Sequence, residues 1–527
     1  MKKRWIMTAT AAAILALPFA LLPIASRERM EAVPIEGQSS AAIQWDNSFK
    51  PASVPGAVEA HPYLAPLGQG TMHGDGFQSD THPASGPMGT ALEVRTRQGG
   101  NWLPRQCATY VYRSDGKIIS MCGGLTGFRI VLIDPTTLKA LAYYDLPLRP
   151  SSFQALIHRD MSLMMNDSSG GAYLFLDNQD RIVLGDSRQM IQRIALHEEG
   201  GQWRFVVEKE WDMRPHVPHD CQNYDNWFPS DACDMITTVM PDTKGHYWWL
   251  TRFGRVGTLN PETGQVQQLR LPDEEIQNAV AMDSRAVYVL SDHAQYAFTA
   301  DQDGMPQQLW RHTYDRGDER KVGTINQGSG TTPTLLGERY ITFADNANPR
   351  INIVVLRRGD LKPGEQREIC RVPVFTAGNS ATDNSMIGWG HTILLENNSG
   401  YKSAHTQKDW DAITGGVVRV DIRADESGCD TVWTSPLKAP SSVAKLSASN
   451  GIAYYYSFDQ GPQGTQDWSV VGLDFRTGKQ VIKIPTGRGK VFDNNWASMS
   501  IGPDGSLYVG TTRGLVQVRS QLKSAQR

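Results

Sequence analysis

The stretches DTKGHYWWL (residues 242–250) and LNPETGQVQQL (259–269) decide the fold. In the first, an Asp/Gly turn is followed at once by aromatic and aliphatic residues. In the second, Asn260, Thr263 and Gly264 form a turn between two short apolar runs. Asp and Asn side chains bond their own backbone two residues on, and Gly supplies positive φ, so both stretches read as turns between antiparallel strands. Together they outline a unit of four short strands. The first kind of turn recurs in SDGKIIS at 114, DSRAVYVL at 283, LGERYITF at 336, SNGIAYYY at 449 and PDGSLYVG at 503. The second recurs in IDPTTLKAL at 133, DQDGMPQQLW at 301, RADESGCDTVW at 423 and LDFRTGKQVI at 473. One such unit cannot bury both of its faces, so several must pack around an axis.

Units begin near residues 105, 152, 234, 276, 328, 383, 443 and 494. The last has only three strands, and the alternating stretch TALEVRTR (90–97) is available as its fourth. The expected fold is all-β: a single closed β-propeller of four-stranded antiparallel blades, about eight in number, with its ring closed by an N-terminal strand. Seven blades is the alternative, because the unit spanning 152 to 213 is irregular. Stacked β-sandwiches fit the regular two-turn repeat less well. The organisation reads as an export signal or membrane anchor (1–26), an extended Pro/Gly-rich segment (27–88), the propeller (89–520) and a tail (521–527).

The turns Asp474-x-x-Thr477-Gly478-Lys479 and Asn260-x-x-Thr263-Gly264-Gln265 resemble the blade signature of the quinoprotein-dehydrogenase-like β-propellers. The resemblance implies an eight-bladed ring over roughly 89–520. In some members it also implies pyrroloquinoline quinone and Ca²⁺ at the centre. True quinoproteins carry adjacent cysteines beneath the cofactor, and no two of the six cysteines here are adjacent. Ile482 and Leu269 stand where the family signature closes on tryptophan. The resemblance therefore implies the fold and leaves room for Ca²⁺, whereas a bound quinone is not expected.

The chain of 527 residues carries 52 Lys+Arg against 55 Asp+Glu, a net charge of -3, which argues against nucleic-acid binding. The hydrophobic content of 40% excludes a disordered chain. Basic Met1-Lys2-Lys3-Arg4 precedes an apolar run from Trp5 to Ala25, which reads as an export leader, either cleaved or retained as an anchor. In both cases the positive-inside rule puts the rest outside the cytoplasm, periplasmic or secreted. Cys107 and Cys122 lie nearly opposite each other across a hairpin, Cys221 and Cys233 bracket a short loop, and Cys370 and Cys429 remain by elimination as a third disulfide.

A four-stranded meander sends its loops to two faces, and both aligned turn families fall on one of them. On the other, the segments leading into each innermost strand converge on the channel. Asp234, Asn278, Ser329, Asn384, Ser442 and Asn495 are expected to line its mouth, joined by Asp177, Asp292, His293, Asp345, Asn346 and Arg252 from loops leaving the second strands. Glu396, Asn397, Asn346 and Asn384 form a candidate oxygen-rich set for Ca²⁺, which takes six to eight oxygens. The simpler reading of each is an Asx side chain capping its own loop. His73, Asp75, Asp80 and His82, and separately His216, His219, Asp220 and Cys221, group ligand-type residues without zinc spacing, and both groups read as ordinary loops. His158, His293 and His391 come from different units and read as ordinary loop or core residues. The aromatics read as packing between blades rather than a stacking platform. GxSxG, P-loop and Rossmann fingerprints are absent.

The leading functional expectation is an exported, monomeric cell-envelope propeller that binds a small molecule or an envelope protein at the polar mouth of its channel. A quinoprotein-type oxidoreductase and a Ca-dependent hydrolase of esters or lactones are the alternatives.

Overall fold

Asp242 shows how the repeat is built. Its Oδ1 accepts the backbone N–H groups of Lys244 and His246, both at 2.9 Å, and its Oδ2 accepts the buried Trp248 indole N–H at 2.9 Å. One carboxylate thus closes the turn and satisfies a core donor that burial would otherwise strand. Asn260 does the same for the second turn, accepting the N–H groups of Glu262 and Thr263. Gly264 follows at φ 79°, a conformation open to glycine without a Cβ clash. These turns join the strands Ile236–Pro241, Tyr247–Thr251, Arg255–Leu259 and Val266–Arg270 into one antiparallel sheet.

The computed structural model describes residues 41–98, 105–124, 127–149, 151, 152, 155, 157, 167–217, 234–325 and 327–521. The leader (1–26), Cys221, Cys233, His158, His219 and Asp220 lie outside them. Eight four-stranded antiparallel units form the blades of a propeller, and one of them, blade 7, is extended to a six-stranded sheet by two N-terminal strands. Blade 8 consists of Met499–Ile501, Leu507–Thr511 and Gly514–Ser520, and its outer strand is Leu92–Gln98. That strand pairs from Leu92↔Ser520 to Gln98↔Gly514, so the N-terminal strand closes the ring. The core lies between neighbouring blades. One cluster takes in Val183 of blade 2, Val239 and Trp249 of blade 3 and Phe298 of blade 4, all fully buried. Each such side chain contributes roughly 1.5–3 kcal/mol of burial free energy.

Blade 2 departs from the sequence reading. Its strands begin only at Phe175–Leu176, after a long connection from blade 1, and the loop LDNQDR joins its first and second strands. Asp177 Oδ1 accepts the N–H groups of Gln179 and Arg181, the same Asx turn that Asp242 makes. Asp177 therefore belongs to the lower face with the aligned turns, and not to the channel mouth. A two-residue inner strand gives too little apolar signal to fix the phase of the repeat.

Cys107 and Cys122 are directly paired across the first hairpin of blade 1 and form a disulfide with Cα atoms 4.0 Å apart. Cys370 and Cys429 form a second, tying the outer strands of blades 5 and 6. In a chain-entropy view, loops of 15 and 59 residues correspond to about 3 and about 4 kcal/mol. Two disulfides point to an oxidising compartment. Among the described residues no helix is long and apolar enough to cross a membrane.

The segment before the closing strand runs through the molecule. Gln44–Trp45 adds an outer strand to blade 7, and Thr81–His82 pairs in parallel with that blade's innermost strand, Lys445–Ser447. Between them the chain crosses the lower end of the channel. Its carbonyls at Gln69, Gly70, Gly76, Phe77, Ser79, Asp80 and His82 accept the N–H groups of Tyr112, Leu176, Met282, Leu335, Gly388, Leu446 and Ala448. Those donors stand within or just past the inner strands of six blades. Residues 77–82 are buried, so this segment plugs the channel from below.

Candidate functional site

Above the plug the described residues leave a cavity of about 380 Å³. Its floor is Met72 and His73 of the plug. Its wall comes from segments leading into the inner strands: Gln277 and Asn278 before blade 4, Asp383–Ser385 before blade 6, and Asn495–Ala497 before blade 8. Tyr173 and Arg149 line it from the connection between blades 1 and 2, and His405 from a loop of blade 6. Met121, Phe128 and Val443 make much of the remaining wall apolar.

The floor holds a buried charge relay. His73 Nδ1 lies 3.0 Å from both oxygens of Asp80. The Lys445 ammonium, fully buried on blade 7, pairs with Asp80 and donates to the Met72 carbonyl at 3.0 Å. Burial pushes the Asp80 carboxyl up, but His73 and Lys445 outweigh it and hold the group below the usual carboxylate range. Asp80 is therefore ionised. Its backbone sits at φ 52°, a left-handed conformation that a non-glycine residue adopts at a cost of about 1–2 kcal/mol, and the surrounding contacts hold it there. His73 Nε2, on the other side of the ring, is 3.4 Å from Thr332 Oγ1.

On the wall, Asp383 accepts the Ile325 N–H at 3.3 Å, and burial pushes its carboxyl up to about 7. Gly330 makes room for it: a Cβ there would lie 1.7 Å from Asp383 Oδ1. Asn384 Nδ2 donates to Glu396 Oε1 at 2.8 Å, and burial pushes Glu396 up to about 8. Asn278 Oδ1 accepts the Tyr173 hydroxyl at 3.3 Å. At the rim, Asn495 and Trp496 both have positive φ, 49° and 68°, and the strained turn sets the indole against the cavity.

Of the residues expected at the mouth, Asn278, Asn384 and Asn495 line the cavity. Asp234 caps the next turn of its own blade, accepting from Thr251, Phe253 and Arg255. Ser329 bonds Thr331 and Tyr314, and Ser442 is buried. Asp292, His293 and Arg252 are on the upper rim, where Asp292 ties Glu275, His293 and Arg316 together and Arg252 faces Glu275. Asp345 closes the turn to Asn352 and binds Arg371.

The four residues put forward for Ca²⁺ do not form one donor set. Asn346 donates to the Arg316 and Glu319 carbonyls, and Asn397 spends its amide on Ala381, Ser399, Asn379 and Gly415. Only Glu396 and Asn384 meet. Among the described residues no three His, Cys, Asp or Glu side chains cluster as for a metal. Of the described residues, only Asp167 and Asp383 bring carboxylates to the cavity lining, beside five amides, and the four residues put forward do not assemble there, so they do not fit a quinone-and-Ca²⁺ centre of the quinoprotein type. His73, Asp80, Lys445 and Asp383 were not assigned to the mouth from sequence. The only local signal was the His73 and Asp80 grouping, which reads as an ordinary loop until its partner on blade 7 is known.

A scan of protein families finds no match for this chain. An uncharacterized protein of Archaeoglobus fulgidus is 25% identical over 318 residues, spanning 54% of this chain and 61% of that protein's length. Among solved structures, the quinohemoprotein alcohol dehydrogenase of Comamonas testosteroni superposes with a TM-score of 0.51 at 10% identity, covering 88% of this chain and 82% of that one. Streptogramin B lyase gives a TM-score of 0.39 at 8% identity. The chain has the eight-bladed fold of the quinoprotein-type propellers, with its channel stoppered by its own N-terminal segment.

Proposed function

We propose that this protein is exported and binds a small organic molecule in the upper cavity of its channel. The observation that carries the reading is the cavity itself. It is closed below by the plug, has mixed apolar and amide walls, and its floor carries a fixed His–Asp–Lys system. Small-molecule sites are commonly clefts of about 300–1,000 Å³, mostly apolar with a few placed polar groups. The leader at 1–26 and the two disulfides support export to an oxidising space.

The test uses anilinonaphthalene sulfonate, whose fluorescence rises in apolar surroundings. Saturable binding of one equivalent to the folded protein is expected, and a replacement of Ala172 on the cavity wall by Trp should weaken it at least tenfold. Dye binding that Ala172→Trp leaves unchanged would place the dye elsewhere and defeat the reading. Small molecules would then be screened by dye displacement.

A further inference from the structure

We propose that the ligand of the upper cavity is an organic acid, a carboxylate on a small and largely apolar body, with its charge met by Arg149. This rests on the binding reading above. Arg149 is only 3% exposed and lines the cavity from the connection between blades 1 and 2. Its Nη1 donates to the Asp167 carbonyl at 2.9 Å and its Nη2 to the Gly170 carbonyl at 3.3 Å, while Nε, also buried, has no partner. A guanidinium offers five N–H donors, and these bonds use two of them. Carbonyls satisfy donors but cancel no charge. Among the described residues no carboxylate forms an ion pair with Arg149. Asp167 acts on it through space, but the oxygens of that carboxylate accept from Ser151 and Ser169 instead. Burial pulls the guanidinium down to about 10, which leaves it charged at neutral pH. A buried cation without a matching anion is costly, and a ligand that brings the anion removes that cost.

The surroundings hold the group in place. The guanidinium carbon lies 3.6 Å from the centre of the Phe128 ring, a cation–π contact. Two glycines let the pair fit. A Cβ at Gly123 would lie 2.0 Å from Phe128 Cε1, and one at Gly170, whose φ is 62°, would lie 2.7 Å from Arg149 Nε. The other titratable groups of the lining do not take the place of Arg149. His73 and Lys445 both pair with Asp80. Burial lowers the pKa of His405, which favours its neutral ring. On the opposite wall burial pushes Asp383 up to about 7, so below that pH it is protonated and can donate to an anion rather than repel it. Met121, Phe128, Ala172 and Val443 give the body of the acid an apolar surface, and a volume of about 380 Å³ limits it to a small molecule. A neutral amide of the same shape would leave the guanidinium unmatched.

The experiment compares two dyes with one aromatic frame, anilinonaphthalene sulfonate and phenylnaphthylamine, which lacks the sulfonate. It is run at about pH 6, where Asp383 holds its proton. A dye counts as bound in the cavity only where Ala172→Trp weakens it. Arg149→Met should weaken the sulfonate by about tenfold or more and the neutral dye by less than about threefold. Arg149→Lys keeps the charge without the planar fork and should restore part of that difference. In wild-type protein benzoate should displace either dye at a concentration about tenfold or more below that of benzamide, a readout that needs no substituted protein to fold. Equal effects of Arg149→Met on the two dyes, or equal displacement by benzoate and benzamide, overturn the inference. In that case the binding reading stands as long as the neutral dye stays sensitive to Ala172→Trp. If neither dye binds in the cavity, the binding reading falls and this one with it.

Discussion

The two ends of the channel are made from the same eight inner strands, yet they are built by different rules. At the lower end, one continuous segment gives its carbonyls to the N–H groups of six blades and fills the axis. At the upper end, the segments leading into those strands turn side chains inward and leave a cavity. Six of the eight inner strands have only two or three residues, and an innermost strand has no neighbour for its channel-facing backbone groups, so some partner must satisfy them. The plug is that partner below. Above, Asx and Ser/Thr side chains cap the loops locally, and space is left over. One end is therefore held by long-range backbone pairing and a buried ion pair, and the other by local caps that can be altered one at a time.

The largest expected break in this comparison is at Lys445. Lys445→Met leaves the Asp80 carboxylate buried without its ammonium partner and should cost about 3–5 kcal/mol in urea unfolding. Adding Asp80→Asn should recover part of that loss, because the stranded charge is gone. A loss below about 1 kcal/mol for Lys445→Met would mean that the plug is held by its backbone bonds alone.

A middle-sized effect separates the ends by pH. Glu396 sits behind the cavity wall with its carboxyl raised to about 8, so the folded state keeps a proton that the unfolded chain releases near 4.5. The unfolded state binds fewer protons over that window, and stability therefore falls as pH rises from about 4.5 to about 8. Asp80 has the opposite sign. Its folded pKa is lowered, so its contribution is present above the unfolded value near 3.9 and is lost on acidification. Glu396→Gln should flatten the decline toward pH 8, by on the order of a few kcal/mol, in urea midpoints measured across that window. An unchanged slope would reassign the decline to other buried acids, such as Asp75.

The smallest effect is expected at the mouth. Asn278→Ala removes one neutral hydrogen bond to Tyr173 and should cost about 1 kcal/mol, measured by thermal unfolding. Dye affinity should change all the same, because Asn278 is on the cavity wall. A cost as large as that at Lys445 would erase the contrast between the two ends.

Much of the architecture is legible in the chain because its determinants are local. Asp242, Asn260 and Asp474 each bond backbone groups a few residues on, so their turns announce themselves wherever they occur. The missing strand of blade 8 is legible too, since a three-stranded last unit needs a partner and residues 90–97 alternate. Blade 2 is not, because a two-residue inner strand carries almost no pattern. Asn278, Asn384 and Asn495 line the cavity, while Asp234, Asn346 and Asn397 are spent on tying neighbouring loops together. All six have the same local sequence character, and only the packing around each one separates them.

The sequence by itself determined the strand-and-turn period, the number of blades to within one, the closing strand and the cysteine pair of the first hairpin. All of these follow from side chains acting on backbone close by, or from one count of strands. Tertiary structure decided that residues 77–82 fill the channel and that His73, Asp80 and Lys445 meet beneath a cavity. Asp80 and Lys445 are 365 positions apart, and no periodicity links them. They meet because the plug runs along the channel axis beside the innermost strand of blade 7, where a buried carboxylate must find a cation.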